Sequence, residues 1–510
     1  MTERTGLRLV LGLALLTRLA HLIQYLVSPR SGLYYHPVLA AARFVQEAGM
    51  LASGTQPSGA FAYADPGYAY ILASSIATGL GAWPVLALQL SCGVLTALLV
   101  YRLALTAGAS PSAGAAAGAL WTLYAPASFY ELTLLSVSLT GAMVAVFAFA
   151  CSRPRIGTID ALALGLIPGL LCGLRPQLFP ILLVPLILLL KRRQTFELAI
   201  CIAAAALPMV LLAGQQRARG GPASPVATSA GFNLFIGHNP DADGYSPAAP
   251  SIGLVEDMRR DIHQVADDYA AERGYSTRQG ADAWFMRQAL AWIRRNPGRA
   301  AGLEFVKFSA FFGLRPFDSY YDVGRVNRIG PVFRLSAPRW LLIGFFCLGL
   351  VPFLARGGGR FVLIAPIVFC LASGLLFVHT ERYSLPVLPL MCAVGAAGVT
   401  LATGGIRSRH PGWIGLSLAG LVLMVPAIIR PVPRVPEGLY QQSMAIRAYQ
   451  LGDYQLSLGL FERSAVESPP GSYCWVMSQR EAARIAGALG MRERAAQHVE
   501  ALSSMGFGPD

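Results

Sequence analysis

Two acids and two arginines stand out in a chain otherwise poor in charge. Asp65 in "FAYADPGYAY", Glu131 in "YAPASFYELTLL", Arg175 in "CGLRPQLFP" and Arg382 in "VHTERYSLPVLP" each sit in a short polar break between apolar stretches. A carboxylate can take the proton of an acceptor hydroxyl, and a guanidinium grips phosphate through two parallel hydrogen bonds. Together they suit group transfer from a phosphate-bearing molecule. Other groups able to hold a polar substrate gather in similar breaks. They are Tyr34, Tyr35 and His36 in "SPRSGLYYHP", Gln177 beside Arg175, Asn239, Asp241 and Asp243 in "GFNLFIGHNPDADGY", and His379, Glu381 and Tyr383 around Arg382. A protonated His379 would add positive charge beside the arginines.

Each of these residues also has a plainer use. Arg175 and Arg382 can snorkel to lipid headgroups. Asp65, just before Pro66, can open a turn, and Glu131 can cap the helix that follows it. Arg18 and His21, three positions apart on one helix face, read as packing partners rather than reactants. The spacing Asn239-x-Asp241-x-Asp243-Gly244 begins like an EF-hand calcium loop, but Pro250 stands where a bidentate glutamate must close it. A looser Mg, Mn or Ca site shared with another loop and a plain Asx turn both stay open. No metal ligand is assigned.

What must position these residues is a bundle in a bilayer. Of 510 residues, 54% are hydrophobic and only 13% charged, against about 25% charged in soluble domains. Apolar runs long enough to cross a core of about 30 Å recur, at about 6–27, 83–105, 110–128, 132–151, 159–174, 176–190, 195–214, 339–355, 361–378, 384–403 and 411–429. The expected fold is a polytopic α-helical membrane protein of about eleven spans, the first an uncleaved anchor. The short apolar stretch at 66–81 reads as a helix lying in the interface of the first loop.

The basic turns at Arg153 and Arg155, Lys191 to Arg193, Arg356 to Arg360 and Arg407 to His410 fall on one face, which the positive-inside rule makes cytoplasmic. The N-terminus is then cytoplasmic. The first loop (28–82), a large loop (215–338) and the tail (431–510) lie outside, after a membrane domain spanning 1–430. Every polar break named above falls on that outer face. The net charge of +14 comes from these flanking arginines, with no basic stripe interleaved with aromatics, so nucleic acid is not an expected partner. Seven of the eight cysteines lie in or beside spans, leaving Cys474 alone in an aqueous segment and no disulfide framework.

The tail departs from the rest. "AYQLGDYQLSLGLFERSAVESP" has the cadence of a tetratricopeptide unit, and a poorer copy follows with Gly490 standing 38 residues after Gly452. A small helical appendage able to dock a protein partner is expected, or else a generic helical hairpin.

In the order of these motifs the chain resembles bacterial GT-C membrane glycosyltransferases, close to the dolichyl-phosphate-mannose protein mannosyltransferases (glycosyltransferase family 39). "YYHPVLAAARFVQEAGM" with "FAYADPGYAYILA", "FYELTLLSVSL", "GLRPQLFPILLVPL", "GFNLFIGHNPDADGY" and "ERYSLPVLPL" carry the likeness across most of residues 5–405. The resemblance implies transfer of a sugar from a polyprenyl-phosphate donor to an exported glycan, lipid or protein at the periplasmic face of the inner membrane. An acid of the first outer loop would act as base, with inversion at the anomeric carbon. Such families carry an aspartate just before the aromatic pair of that loop, whereas "SPRSGLYYHP" has no acid. Asp65, with Glu131 as its partner, is therefore expected to take that role, with Arg175 and Arg382 on the phosphate. A catalytically silent assembly factor of the same fold is the alternative. A transporter of lipid-linked sugar is a third, disfavoured by the lack of an internal two-fold repeat and of a polar path at the midplane.

Overall fold

The computed structural model of the chain describes residues 1–29, 31–55, 66–218, 223–226, 228–245, 249, 262–318, 321, 323–356, 361–407 and 412–508. Asp65 and Pro250 lie outside the described residues. Every regular element that is described is a helix. Among the described residues, six helices are long and apolar enough to cross a membrane: Glu3–Val27, Trp83–Thr106, Thr195–Ala218, Pro331–Ala355, Glu381–Gly405 and Gly412–Ile429. Shorter apolar helices cover Val137–Cys151, Thr158–Leu174, Pro176–Lys191 and Phe361–Leu376.

The first helix is turned inside out relative to a helix of a water-soluble protein. Leu9, Leu15, Leu16, Leu19 and Ile23 face outward, while Arg18, His21 and Gln24 are buried with Val10 and Ala14. An apolar surface is what lipid solvates, so polar groups turn toward protein partners. Helices Thr158–Leu174 and Thr195–Ala218 pack through small residues. A methyl group on Gly165 would meet the carbonyl of Cys201, and one on Gly169 that of Ala205, so glycine lets the two backbones touch. The run from Glu381 to Gly405 is the most enclosed, with Leu388, Met391, Cys392 and Val394 fully buried.

One expected span is broken beside the site, and the next begins late. The stretch read as 110–128 divides into Pro111–Thr122 and Ala125–Glu131, with Tyr124 extended between them (φ −76°, ψ 99°) and Pro126 opening the second piece. The next helix begins only at Val137. The stretch 66–81 forms a helix, Pro66–Ser75, ending in a π-helical turn. It packs on Ala40–Ala52, with Gly67 against the carbonyl of Gly173 and Tyr68 buried.

The tail is four helices, Glu437–Gln450, Tyr454–Glu467, Tyr473–Ala488 and Arg492–Ser504, each packed on the one before. Gly452 (φ +81°) and Gly490 (φ +76°) turn the two hairpins at matching places, in a conformation that L-residues rarely adopt. The tail does not stand apart. Tyr440, Met444 and Ala445 join one continuous apolar core with the bundle.

Candidate functional site

Arg382 owes its place to a short helical turn, Glu381–Ser384, entered from extended Thr380 (φ −138°, ψ 156°) and followed by Pro386. Neighbouring helical residues point about 100° apart, so Glu381 and Arg382 face different partners. The Glu381 N–H donates to the carbonyl of Phe317 (2.5 Å), which sets the following residue, Asp318, beside Arg382. Arg382 Nε lies 3.5 Å from Asp318 Oδ2. The Tyr130 hydroxyl donates to the same oxygen (2.8 Å), and the Tyr321 N–H donates to Oδ1 (3.2 Å). Asp318 is only 1% exposed, and a carboxylate that deep needs such donors.

Arg175 approaches from another helix. It ends Thr158–Leu174 in an extended conformation (φ −157°, ψ 75°) forced by the proline that follows. Its guanidinium lies 5.1 Å from the centroid of the Tyr383 ring, and that of Arg382 lies 5.5 Å from the same centroid. Tyr383 thus gathers both arginines. Gln177, half-buried, sits on the 3-10 turn just after Arg175.

Other residues named from the sequence serve neighbouring contacts. Glu131 is gripped at both oxygens by Arg18, with Nη2 to Oε1 at 2.6 Å and Nε to Oε2 at 3.0 Å. Arg18 Nη1 also donates to the carbonyl of Thr122 (3.2 Å), where the helix breaks. Glu131 therefore ties the first helix to that break, and its contacts run to Arg18 rather than to Arg175 or Arg382. Glu381 accepts from Arg339 and from the Tyr124 hydroxyl (2.5 Å), while Arg339 also donates to the carbonyls of Phe311 and Gly313.

His379 is buried beside this cluster. Burial, and then the cation of Arg339, hold its imidazole down at about 3, so it is neutral near pH 7. The expectation that His379 adds positive charge is corrected on that ground.

The "NPDADG" knot is built of turns. Asn239 Nδ2–H donates to the carbonyl of Phe235 (2.9 Å), and Asn239 Oδ1 accepts from the Asp241 N–H (2.7 Å). Asp243 Oδ1 accepts from the Tyr245 N–H (2.8 Å), with Gly244 at φ +88° between them. These are successive Asx turns. The His379 N–H donates to the Gly244 carbonyl (3.1 Å), which joins the knot to the Arg382 segment through backbone. Among the described residues, no three His, Cys, Asp or Glu side chains are grouped to hold a metal.

The aromatic run of the first loop divides. Tyr35 is buried, with its hydroxyl 2.7 Å from His21 Nε2 and its ring stacked on Phe129 (5.2 Å). Tyr34 and His36 face the tail: the Tyr34 hydroxyl shares a 3.0 Å hydrogen bond with that of Tyr440, and His36 adjoins Arg447 and Gln450.

Sequence reasoning missed Asp318, Arg339 and Arg447. A signal for Asp318 existed, since "RPFDSYY" places an acid among aromatics. Nothing marked Arg339 off from a flanking arginine, or Arg447 off from a helix-surface one. Comparison with protein-family models, curated proteins and solved structures gives no match.

Proposed function

We propose that the chain is a membrane glycosyltransferase that moves a sugar from a polyprenyl-phosphate donor to an exported acceptor at the outer face of the inner membrane. The reading keeps the GT-C-like architecture of about eleven crossings, with the N-terminus cytoplasmic and the tail outside. One observation carries it: Arg175 and Arg382 share the Tyr383 ring, and Asp318 stands 3.5 Å from Arg382. Two guanidinium groups and a buried carboxylate, drawn from three distant parts of the chain, suit a phosphate and the hydroxyl that attacks beside it.

In the proposed reaction the acceptor oxygen attacks the anomeric carbon and its proton passes to a carboxylate. The bond from that carbon to the phosphate oxygen breaks, and the lipid phosphate leaves with the electron pair. The leaving group needs charge stabilisation more than a proton, which suits Arg175 and Arg382. Asp318 joins Asp65 as candidate base. Its contact with Arg382 is longer than the roughly 2.8 Å of a tight charge-assisted bond, so an arriving phosphate can draw the guanidinium away and leave the carboxylate to the acceptor.

Transfer from a labelled polyprenyl-phosphate sugar by purified protein tests the reading. Asp318→Asn and Asp65→Asn are compared, and the base is the position whose loss reaches about a hundredfold or more. The silent assembly factor keeps one observation in its favour, the engagement of Glu131 by Arg18. Lack of transfer by the wild-type chain across donors and acceptors would leave that reading standing and remove the enzyme.

A further inference from the structure

The first tail helix, Glu437–Gln450, meets the site at three points. Arg447 is buried, and its Nη1 donates to the carbonyl of Tyr34 (3.1 Å). Its guanidinium lies 5.3 Å from the centroid of Tyr321, whose N–H holds Asp318 and whose hydroxyl donates to the carbonyl of Val38 (3.4 Å). Tyr440 is the second point. Besides its bond to Tyr34 it carries the guanidinium of Arg325 at 4.6 Å. Glu437 is the third, bound by Arg325 Nη2 at 3.0 Å, and the same nitrogen donates to the carbonyl of Val435 just ahead of that helix (3.1 Å). The parts held are the Tyr34 end of the first loop and the residues Tyr321 and Arg325.

A guanidinium taken out of water is costly to bury, and a tail that needed only to stay attached could do so through apolar contacts. The contacts of Arg447 instead run to Tyr321, which is edge-on to Tyr130 (6.3 Å, 78°). Tyr130 and Tyr321 are two of the donors that fix Asp318. Asp318 itself is close enough to act on the charge of Arg447. We propose that Arg447 is a positioning residue, through which the tail holds the Tyr34 segment and the Tyr321–Asp318 pair in register, making the tail a working part of the Arg382 site.

The activity arm of the test rests on the transferase reading, and the exchange arm does not. Full-length Arg447→Ala, Arg447→Lys and, as a control on the tail surface, Arg484→Ala are compared with wild type by hydrogen–deuterium exchange and by transfer kinetics. In Arg447→Ala, exchange over 31–38 and 323–328 rises about tenfold or more, since a desolvated cation–π contact alone is worth more than a factor of ten. Residues 454–504 stay protected, the lysine variant recovers part of the protection, and Arg484→Ala matches wild type. KM for the donor rises about tenfold while kcat stays within about threefold.

Unchanged exchange at both segments in Arg447→Ala overturns the proposal. So does loss of protection across 454–504, which would make Arg447 a fold element of the tail alone. Altered exchange with unaltered kinetics in an active enzyme overturns it as well. If the wild type transfers nothing, the transferase reading falls and the exchange arm still decides whether the tail holds these segments.

Discussion

Arg175 and Arg382, 207 positions apart in the chain, hold their guanidinium groups over one ring, 5.1 and 5.5 Å from the centroid of Tyr383. Like charges gathered on one ring repel each other, and the negative face of the ring offsets that only in part. A phosphate that reaches both guanidinium groups would offset their charge. Arg175→Ala and Arg382→Ala are therefore each expected to weaken binding of a labelled polyprenyl phosphate by about ten- to a hundredfold, the range for hydrogen bonds to a charged group. The double variant should lose less than the sum, because both act on one phosphate. Strictly additive losses would assign the two arginines to separate partners.

Arg18 and Glu131 form a different kind of pair, buried and closed on both oxygens. Removing one partner of such a pair costs about 3–5 kcal/mol by leaving a buried charge unmatched, whereas replacing both with apolar groups can be nearly neutral. Glu131→Leu should lower the thermal midpoint sharply, and Arg18→Met with Glu131→Leu should restore most of it. Transfer activity should follow stability through this series. An inactive double variant with a wild-type melting curve would instead make Glu131 part of the chemistry.

The helices were the most legible part of the sequence, and their breaks the least. Apolar runs mark stretches kept from water, whether by lipid or by neighbouring helices, so the helical stretches fall close to where hydropathy puts them. The division at Tyr124 was hidden because "LWTLYAPASFYELTLL" stays apolar through it, and a proline near the start of a helix reads the same as one within a span. Polar residues could be listed from the sequence, but not paired. Glu131 was expected to partner Asp65, and in the structure its carboxylate is held by Arg18 of the first helix. Asp318 went unnoticed because two of its partners, Tyr130 and Arg382, come from distant segments that only the fold joins to it.

His379 gives a pH signature of known sign. In the unfolded chain its imidazole binds a proton below about 6.5, whereas in the native protein it stays neutral down to about 3. Between those values the unfolded state holds more protons, so stability rises with pH across the window and falls as the pH drops. From pH 7 to pH 5 the loss from this residue should reach about 2 kcal/mol. His379→Gln should show a flatter stability profile over that range, with all other titrating groups common to both proteins. Parallel profiles would mean that the native imidazole takes up its proton as readily as the unfolded one.

The last expectation concerns the turn at Asn239. Its Oδ1 accepts from the Asp241 N–H, its Nδ2 donates to the carbonyl of Phe235, and it is fully buried, so this side chain serves the backbone rather than a cation. Asn239→Ala should cost about 1–3 kcal/mol by leaving buried backbone groups unmatched, read as a lowered thermal midpoint. Asn239→Asp keeps the accepting oxygen, but loses the Nδ2 donor and brings a charge into a buried place, so it should lie no closer to wild type than alanine does. For the same reason added Mg, Mn or Ca should leave the midpoint of the wild-type protein where chelator leaves it. A rise with one of these ions that Asn239→Ala or Asp243→Ala abolishes would turn the Asx turns into a cation loop, and would give Asp241 and Asp243 a part in ordering the sugar.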